Sequence, residues 1–337
     1  MRCAVRVAIY VFPALWSTAV AAQDAQDVAP AARPSLMLGS VAFGVNAQTN
    51  ANSGQEKGTT RIDGVDQAVD ATNTERFDVN AFVSGFVFHM MPIESTETAT
   101  LETALVGFSG IYRQENSLEF IAVQVNSGLR FVPMDDFKDF SLKPAVQLGI
   151  SFTDSDKHTQ TAGASLEGKW RDDMNSYTTK AGFKRSETLA PSTAPSHSRE
   201  VSLGLSASYA LSEEASVSPA MQIRRTTANS LSGNFDELRL SGTYNQDYEP
   251  LFDFGQGPWQ FSGTLDYTVA DFHHADSGVD ASVMRRDQTY QLTLNNSIKL
   301  DDKWSFDAQA LAMKTKSNLP NFPVKNLGLQ LSFSRSF

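Results

Sequence analysis

The chain has 337 residues, a formal net charge of −10, 41% hydrophobic and 10% aromatic residues, and one cysteine. This is too apolar for a disordered chain, too acidic for a nucleic-acid binder, whose partner demands a Lys/Arg face, and too poor in cysteine for a disulfide-stapled module. Beyond the N-terminus no apolar run approaches the roughly 20 residues of a helical membrane span.

Residues 1–22 read as a signal peptide: Arg2 and Arg6 open it, an apolar stretch follows, and Ala19-Val20-Ala21-Ala22 offers small residues for cleavage near Ala22. Losing the two arginines takes the net charge to −12, and losing Cys3 leaves the mature chain without cysteine. Residues 23–34, QDAQDVAPAARP, read as a flexible periplasmic tail.

From residue 35 to 337 the dominant pattern has period two, which places successive side chains on opposite faces of a strand. In chain order the expected strands are Met37 to Val45, Phe77 to Met91, Ala99 to Tyr112, Ile121 to Phe131, Phe140 to Phe152, Thr159 to Trp170 and Tyr177 to Phe183. They continue with Val201 to Tyr209, Val217 to Ile223, Leu238 to Tyr244, Trp259 to Val269, Tyr290 to Leu300, Trp304 to Met313 and Leu327 to Phe337. The last is the cleanest, with Leu327, Leu329, Leu331 and Phe333 alternating against Gly328, Gln330 and Ser332. In Phe77 to Met91, Phe82, Phe86 and Phe88 interleave with Val83 and Val87, which fits either a bulge or a locally apolar interior. Fourteen strands in 303 residues allow about 22 residues per strand and connection, which leaves little room for a second domain. The fold class is therefore all-β, a transmembrane antiparallel up-and-down barrel located in a bacterial outer membrane.

Short connections after even strands (Pro92 to Ser95, Met134 to Lys138, Asp172 to Asn175, Ser212 to Glu214, Asp301 to Lys303) read as periplasmic turns. Longer ones after odd strands (Thr49 to Thr74, Glu187 to Arg199, Thr227 to Phe235, Asp271 to Asp287, Ser317 to Val324) read as outer loops. Gln114 to Asn116 is short for an outer loop and Glu249 to Pro258 long for a turn, which points to a misplaced strand. Trp170, Trp259 and Trp304, with Phe137 and Phe140, flank the periplasmic connections as an aromatic girdle.

Alternation turns Arg130, Lys143, Arg224 and Lys299 to the lumen, with Asp266 among the few acidic residues so placed. They constitute either a field favouring anions or ion pairs that fill the interior. No catalytic, cofactor or metal constellation emerges: adjacent His273 and His274 point to opposite faces of a strand or belong to a solvated loop, and His89 has no partner motif.

Phe337, with Phe333 and Leu331 on the same face, resembles the C-terminal insertion signal read by the barrel assembly machinery. The run Arg285-Arg286-Asp287, then Trp304-Ser305-Phe306, Lys316-Ser317-Asn318 and the ending LSFSRSF is similar to the C-terminal end of surface lipoprotein assembly modifier barrels. That resemblance implies a fourteen-stranded barrel that translocates or assembles surface lipoproteins, with a lipoprotein or a periplasmic tetratricopeptide protein as partner. This chain carries no helical repeat of its own. The alternative function is a porin-like channel for small polar solutes. Outer-membrane lipid is the expected partner in either case.

Overall fold

The computed structural model describes residues 35–337 apart from 56–57, 70–73, 94–98, 115–117, 134–138, 154–156, 173, 191–192 and 251–253. The signal peptide, the tail, Phe137 and the interiors of several connections expected above lie outside the described residues.

Sixteen strands are described: β1 (Leu36–Gln48), β2 (Thr59–Ile62), β3 (Val65–Ala68), β4 (Asp78–Pro92), β5 (Ala99–Tyr112), β6 (Phe120–Phe131), β7 (Phe140–Thr153) and β8 (Lys157–Arg171). Then come β9 (Asn175–Ala190), β10 (Thr193–Ala210), β11 (Ala215–Ala228), β12 (Phe235–Tyr248), β13 (Gln256–Phe272), β14 (Arg286–Lys299), β15 (Trp304–Ser317) and β16 (Val324–Ser336). All but β2 and β3 form one closed antiparallel barrel in which each strand pairs with its chain neighbours, β1 pairs with β4 on one side, and β16 closes on β1. Closure leaves no unpaired sheet edge.

The fourteen barrel strands match the fourteen read from the period of two. Neither irregular connection marks a misplaced strand: β5 and β6 pair from Gly110↔Phe120, and β12 pairs with β13 throughout. The expected outer loop Glu187 to Arg199 is corrected. β9 runs on to Ala190 and β10 starts at Thr193, pairing Ser196↔Thr188 and Arg199↔Arg185. The ladder continues where the apolar alternation stops, because a hydrogen-bonded hairpin needs apolar residues only where its outer face meets something apolar. The long first connection, residues 49–77, also carries the β2–β3 hairpin, paired Arg61↔Asp66 and Ile62↔Val65.

The seam between β1 and β16 pairs from Ser40↔Ser336 to Gln48↔Gly328. Beyond it Gly39 N donates to Phe337 O and Phe337 N to Gly39 O, both at 3.0 Å, so the terminal residue completes the ladder. Leu327, Leu329, Leu331, Phe333 and Phe337 of this segment point outward and are exposed, as are Met37, Val41, Phe43 and Val45 of β1. Similar rows, such as Val201, Leu203 and Leu205 on β10, cover the exterior around the barrel.

Candidate functional site: the lumen

Side chains on the inner face of each strand build the lumen, which carries a ribbon of charge and, on β4 to β6, an aromatic cluster. From β5 to β13 the inner face carries a ribbon of charge. Glu102 on β5 accepts from Arg130 Nε on β6 at 2.6 Å and from Lys143 Nζ on β7 at 2.9 Å. Arg130 Nη2 reaches Glu167 on β8 at 2.7 Å, and its Nη1 donates to Ser141 Oγ at 3.0 Å. Register carries the ribbon on, since Glu167 sits between Lys143 on β7 and Lys180 on β9.

One helical step of the ribbon further, Lys184 on β9 pairs with Glu200 on β10 at 3.0 Å. Arg224 on β11 then bridges Glu200 at 3.2 Å and Glu237 on β12 at 2.6 Å. Arg239 on β12 closes the series on Asp266 of β13 at 2.7 Å. Cross-strand pairs of this kind stabilise a sheet by about 0.2–1 kcal/mol each. Their arrangement matters more for function than their sum. In each group the carboxylate lies deeper than its cation: Glu102 is 3% exposed against 14% for Arg130, Glu200 17% against 35% for Lys184, and Asp266 7% against 38% for Arg239. The lumen therefore meets cations first, and the acids lie against the wall.

Toward the other end of β4, β5 and β6 the inner face carries an aromatic cluster. Pairing of β4 with β1 and β5 proceeds without a register shift, so no bulge explains the interleaved apolar residues of β4. Phe82, Phe86 and Phe88 share the inner face with buried Asp78 and Asn80, while Val83 is exposed on the outer face. Phe82 stacks on Phe108 of β5 with ring centroids 5.7 Å apart, and Phe108 stacks on Phe120 of β6 at 4.9 Å. Offset stacks of this kind present a continuous aromatic surface.

At the outer end, three connections are tied together. Gly64 N on the β2–β3 turn donates to Val279 O at 2.8 Å, and Arg61 Nη1 reaches Asp280 Oδ2 at 3.1 Å. Asn321, between β15 and β16, accepts from Arg61 N at 2.7 Å and donates to Arg61 O at 2.8 Å. The Arg285 guanidinium, ion-paired with Asp287, lies over the rings of Phe272 and Phe322 at 4.3 and 3.7 Å.

Of the residues singled out in the sequence, Arg130, Lys143, Arg224 and Asp266 all lie within the charged ribbon. Lys299 does not: it is the last residue of β14, beside the turn into β15 and 3.6 Å from Asp302. Trp170 faces outward and stacks on Tyr177 at 5.3 Å, and Trp304 packs edge-on to Phe43 at 6.1 Å with Arg335 over its ring. Trp259 shares the outward face with Tyr248 but is 2% exposed, packed edge-on against its ring. His89 sits on the outer face of β4. His273 lies 3.2 Å from Asp236, and no cluster of metal-ligating residues occurs among the described residues.

Sequence reasoning missed Glu102, Glu167, Lys180, Lys184, Glu200, Glu237 and Arg239. Lys184, Glu200 and Glu237 fall one residue outside the strands drawn from apolar alternation, and the others sit on strands whose period was uneven. The missed signal is the continuing polar alternation, as in Ser198, Glu200 and Ser202.

No protein-family model matches the chain, and no curated protein matches it. Among solved structures it is similar to a FadL homologue of Pseudomonas aeruginosa at 11% identity and TM-score 0.47, over 90% of each chain. It is similar to the outer-membrane protein OmpT of Vibrio cholerae lacking loop L8 at 7% identity and TM-score 0.47, over 90% of this chain and 99% of that one. It is also similar to an anion-selective porin from Comamonas acidovorans at 10% identity and TM-score 0.41, over 90% and 99%.

Proposed function

We propose that the protein is an outer-membrane channel through which small organic anions diffuse. The exterior supports the location. Contiguous exposed Leu, Val, Ile and Phe rows encircle a closed sheet, far more apolar surface than a water-soluble monomer presents, and a bilayer is the solvent that covers it. Export with cleavage near Ala22 and insertion through the β16 signal at Phe337 belong to the same proposal.

The observation that carries the function is the order of charge in the lumen, with cations in front and carboxylates behind. A row of partly neutralised cations attracts anions without holding them, as conduction requires. The aromatic sector on β4 to β6 adds affinity for the apolar body of such a solute. Surface lipoprotein assembly, which the Arg285 to Phe337 resemblance implies, is the second reading; it rests on those short motifs, and deletion of the protein would then strip lipoproteins from the cell surface.

Planar-bilayer recording under a salt gradient tests the channel. Stepwise conductance with a reversal potential on the anion side is expected, and the double variant Lys180→Glu/Lys184→Glu should move it toward the cation side. A protein that inserts without conducting, or that prefers cations as isolated, would sink the proposal.

A further inference from the structure

The outer wall of the barrel carries a feature that the channel does not use. On three neighbouring strands the outward row changes from apolar to arginine: Phe183 gives way to Arg185 on β9 and Val201 to Arg199 at the same level on β10, while on β11 Ile223 gives way to Arg225 one outward position earlier, opposite Val201. Arg225 is taken by Asp236, with two bonds of 2.7 and 2.8 Å. Arg185 and Arg199 are directly opposite each other in register, both exposed, and neither has an ion-pair partner among the described residues.

Like charges facing across a ladder destabilise it unless something stands between them. Beside Arg185 the outer wall is hollowed into a trough of about 500 Å3, floored by Val123 and Val125 of β6, Leu148 and Ile150 of β7, and the small Ala162 of β8. Glu187 also borders the trough and lies 3.6 Å from His197 Nδ1.

We infer that this is a lipid site: an acyl chain lies in the trough and the lipid's phosphate sits between Arg185 and Arg199. The charge, the shape and the level agree. Two planar guanidiniums match a phosphate in charge and in paired donors, the trough offers an apolar lining to a chain, and the arginines stand where the apolar rows end, at the height of headgroups on the side of the outer loops. The occupant is therefore a phosphorylated lipid of the outer leaflet. The inference rests on the membrane location proposed above and is independent of what the lumen conducts.

The test is retention of diphosphorylated lipid A by the purified full-length protein in detergent, read by native mass spectrometry. Wild type should retain it, and Arg185→Gln/Arg199→Gln should retain about tenfold less. Arg286→Gln, which removes a rim cation already paired with Asp271 at 3.1 Å, should leave retention unchanged. Val123→Trp fills the trough from β6, three strands away from the arginine of β9, and should also lower retention. Dephosphorylated lipid A should be held weakly, and inorganic phosphate should not displace the lipid.

Equal retention by the double arginine variant overturns the site, and so does full displacement by inorganic phosphate. Undiminished binding by Val123→Trp overturns the acyl assignment. Each variant is first checked for heat-modifiable migration in SDS. A wild-type protein that lacks it, and fractionates as soluble, defeats the membrane reading itself, a result distinct from loss of lipid by an intact barrel.

Discussion

Gly44 shows how narrowly one residue constrains the closure of the barrel. A Cβ there would collide with the carbonyl oxygen of Leu331 across the seam and would lie 2.7 Å from Ser332 Cβ and 2.9 Å from Phe82. The first of these is backbone, so β16 itself would have to move. Gly44→Ala should cost about 1–3 kcal/mol, the usual range for overpacking, measured as a lower urea midpoint for loss of the SDS-resistant form. Gly39 makes the useful comparison: its added Cβ would meet the ring of Phe337, exposed at the chain end and free to swing away, with Phe86 O at 3.1 Å. Gly39→Ala should cost less than about 1 kcal/mol, and equal losses at the two positions would contradict the account of the seam. Glu102 lies deep in the wall and takes Arg130 and Lys143 together. Glu102→Gln should destabilise by roughly 1.5–3 kcal/mol, the worth of bonds to charged groups, and at the same time raise anion preference, because it removes a negative charge from behind the cations. A drop in anion preference would show that the ribbon does not set the field.

Among elements, the β2–β3 hairpin depends most on charge. Arg61 holds Asp66 at 2.7 Å and Asp280 at 3.1 Å. The Arg61 hydrogen bond keeps the Asp66 carboxyl below its ordinary 3.8, and bonds from Ser282, then from Arg61, do the same for Asp280. A carboxylate whose value is depressed by folding contributes its stabilisation above the ordinary value and loses it as pH falls through the depressed one. The hairpin should therefore stay docked at neutral pH and release as pH drops below the ordinary carboxylate range. A spin label introduced by Val65→Cys should be immobile at pH 6, mobile at the acid end, and mobile throughout in Arg61→Ala. An immobile label at pH 6 in Arg61→Ala would assign the docking to the backbone bonds of Gly64 and to Asn321 instead. This hairpin was not legible in the sequence, since its residues are polar on both faces and carry no period. The barrel strands were legible because a bilayer-sized exterior forces an apolar residue at every second position of strands such as β14 and β16. The same cause limits the reading: beyond Phe183 and before Val201 the strands leave the apolar zone, so β9 and β10 continue in residues such as Arg185 and Glu200 that resemble a loop. On β4 the period was obscured for the opposite reason, because the lumen there is as apolar as the exterior.

Over the whole molecule, the channel proposed above would combine two kinds of recognition, placed at different heights on strands that partly coincide. In such a channel the ribbon from Glu102 to Asp266 would act on charge and treat every small anion alike, whereas the stack of Phe82, Phe108 and Phe120 would act on apolar surface and ignore chloride. A channel built in this way should separate the two contributions when benzoate and chloride are compared under biionic conditions. Replacing Phe108 by Ser should lower the permeability of benzoate relative to chloride by about two- to tenfold, the equivalent of one aromatic contact, and leave the anion-to-cation ratio in place. The double variant Lys180→Glu/Lys184→Glu should do the reverse, depressing both anions together and keeping their ratio. If Phe108→Ser left the benzoate-to-chloride ratio unchanged while conductance persisted, the aromatic sector would be packing that supports β4 and β5, and the channel would discriminate by charge alone.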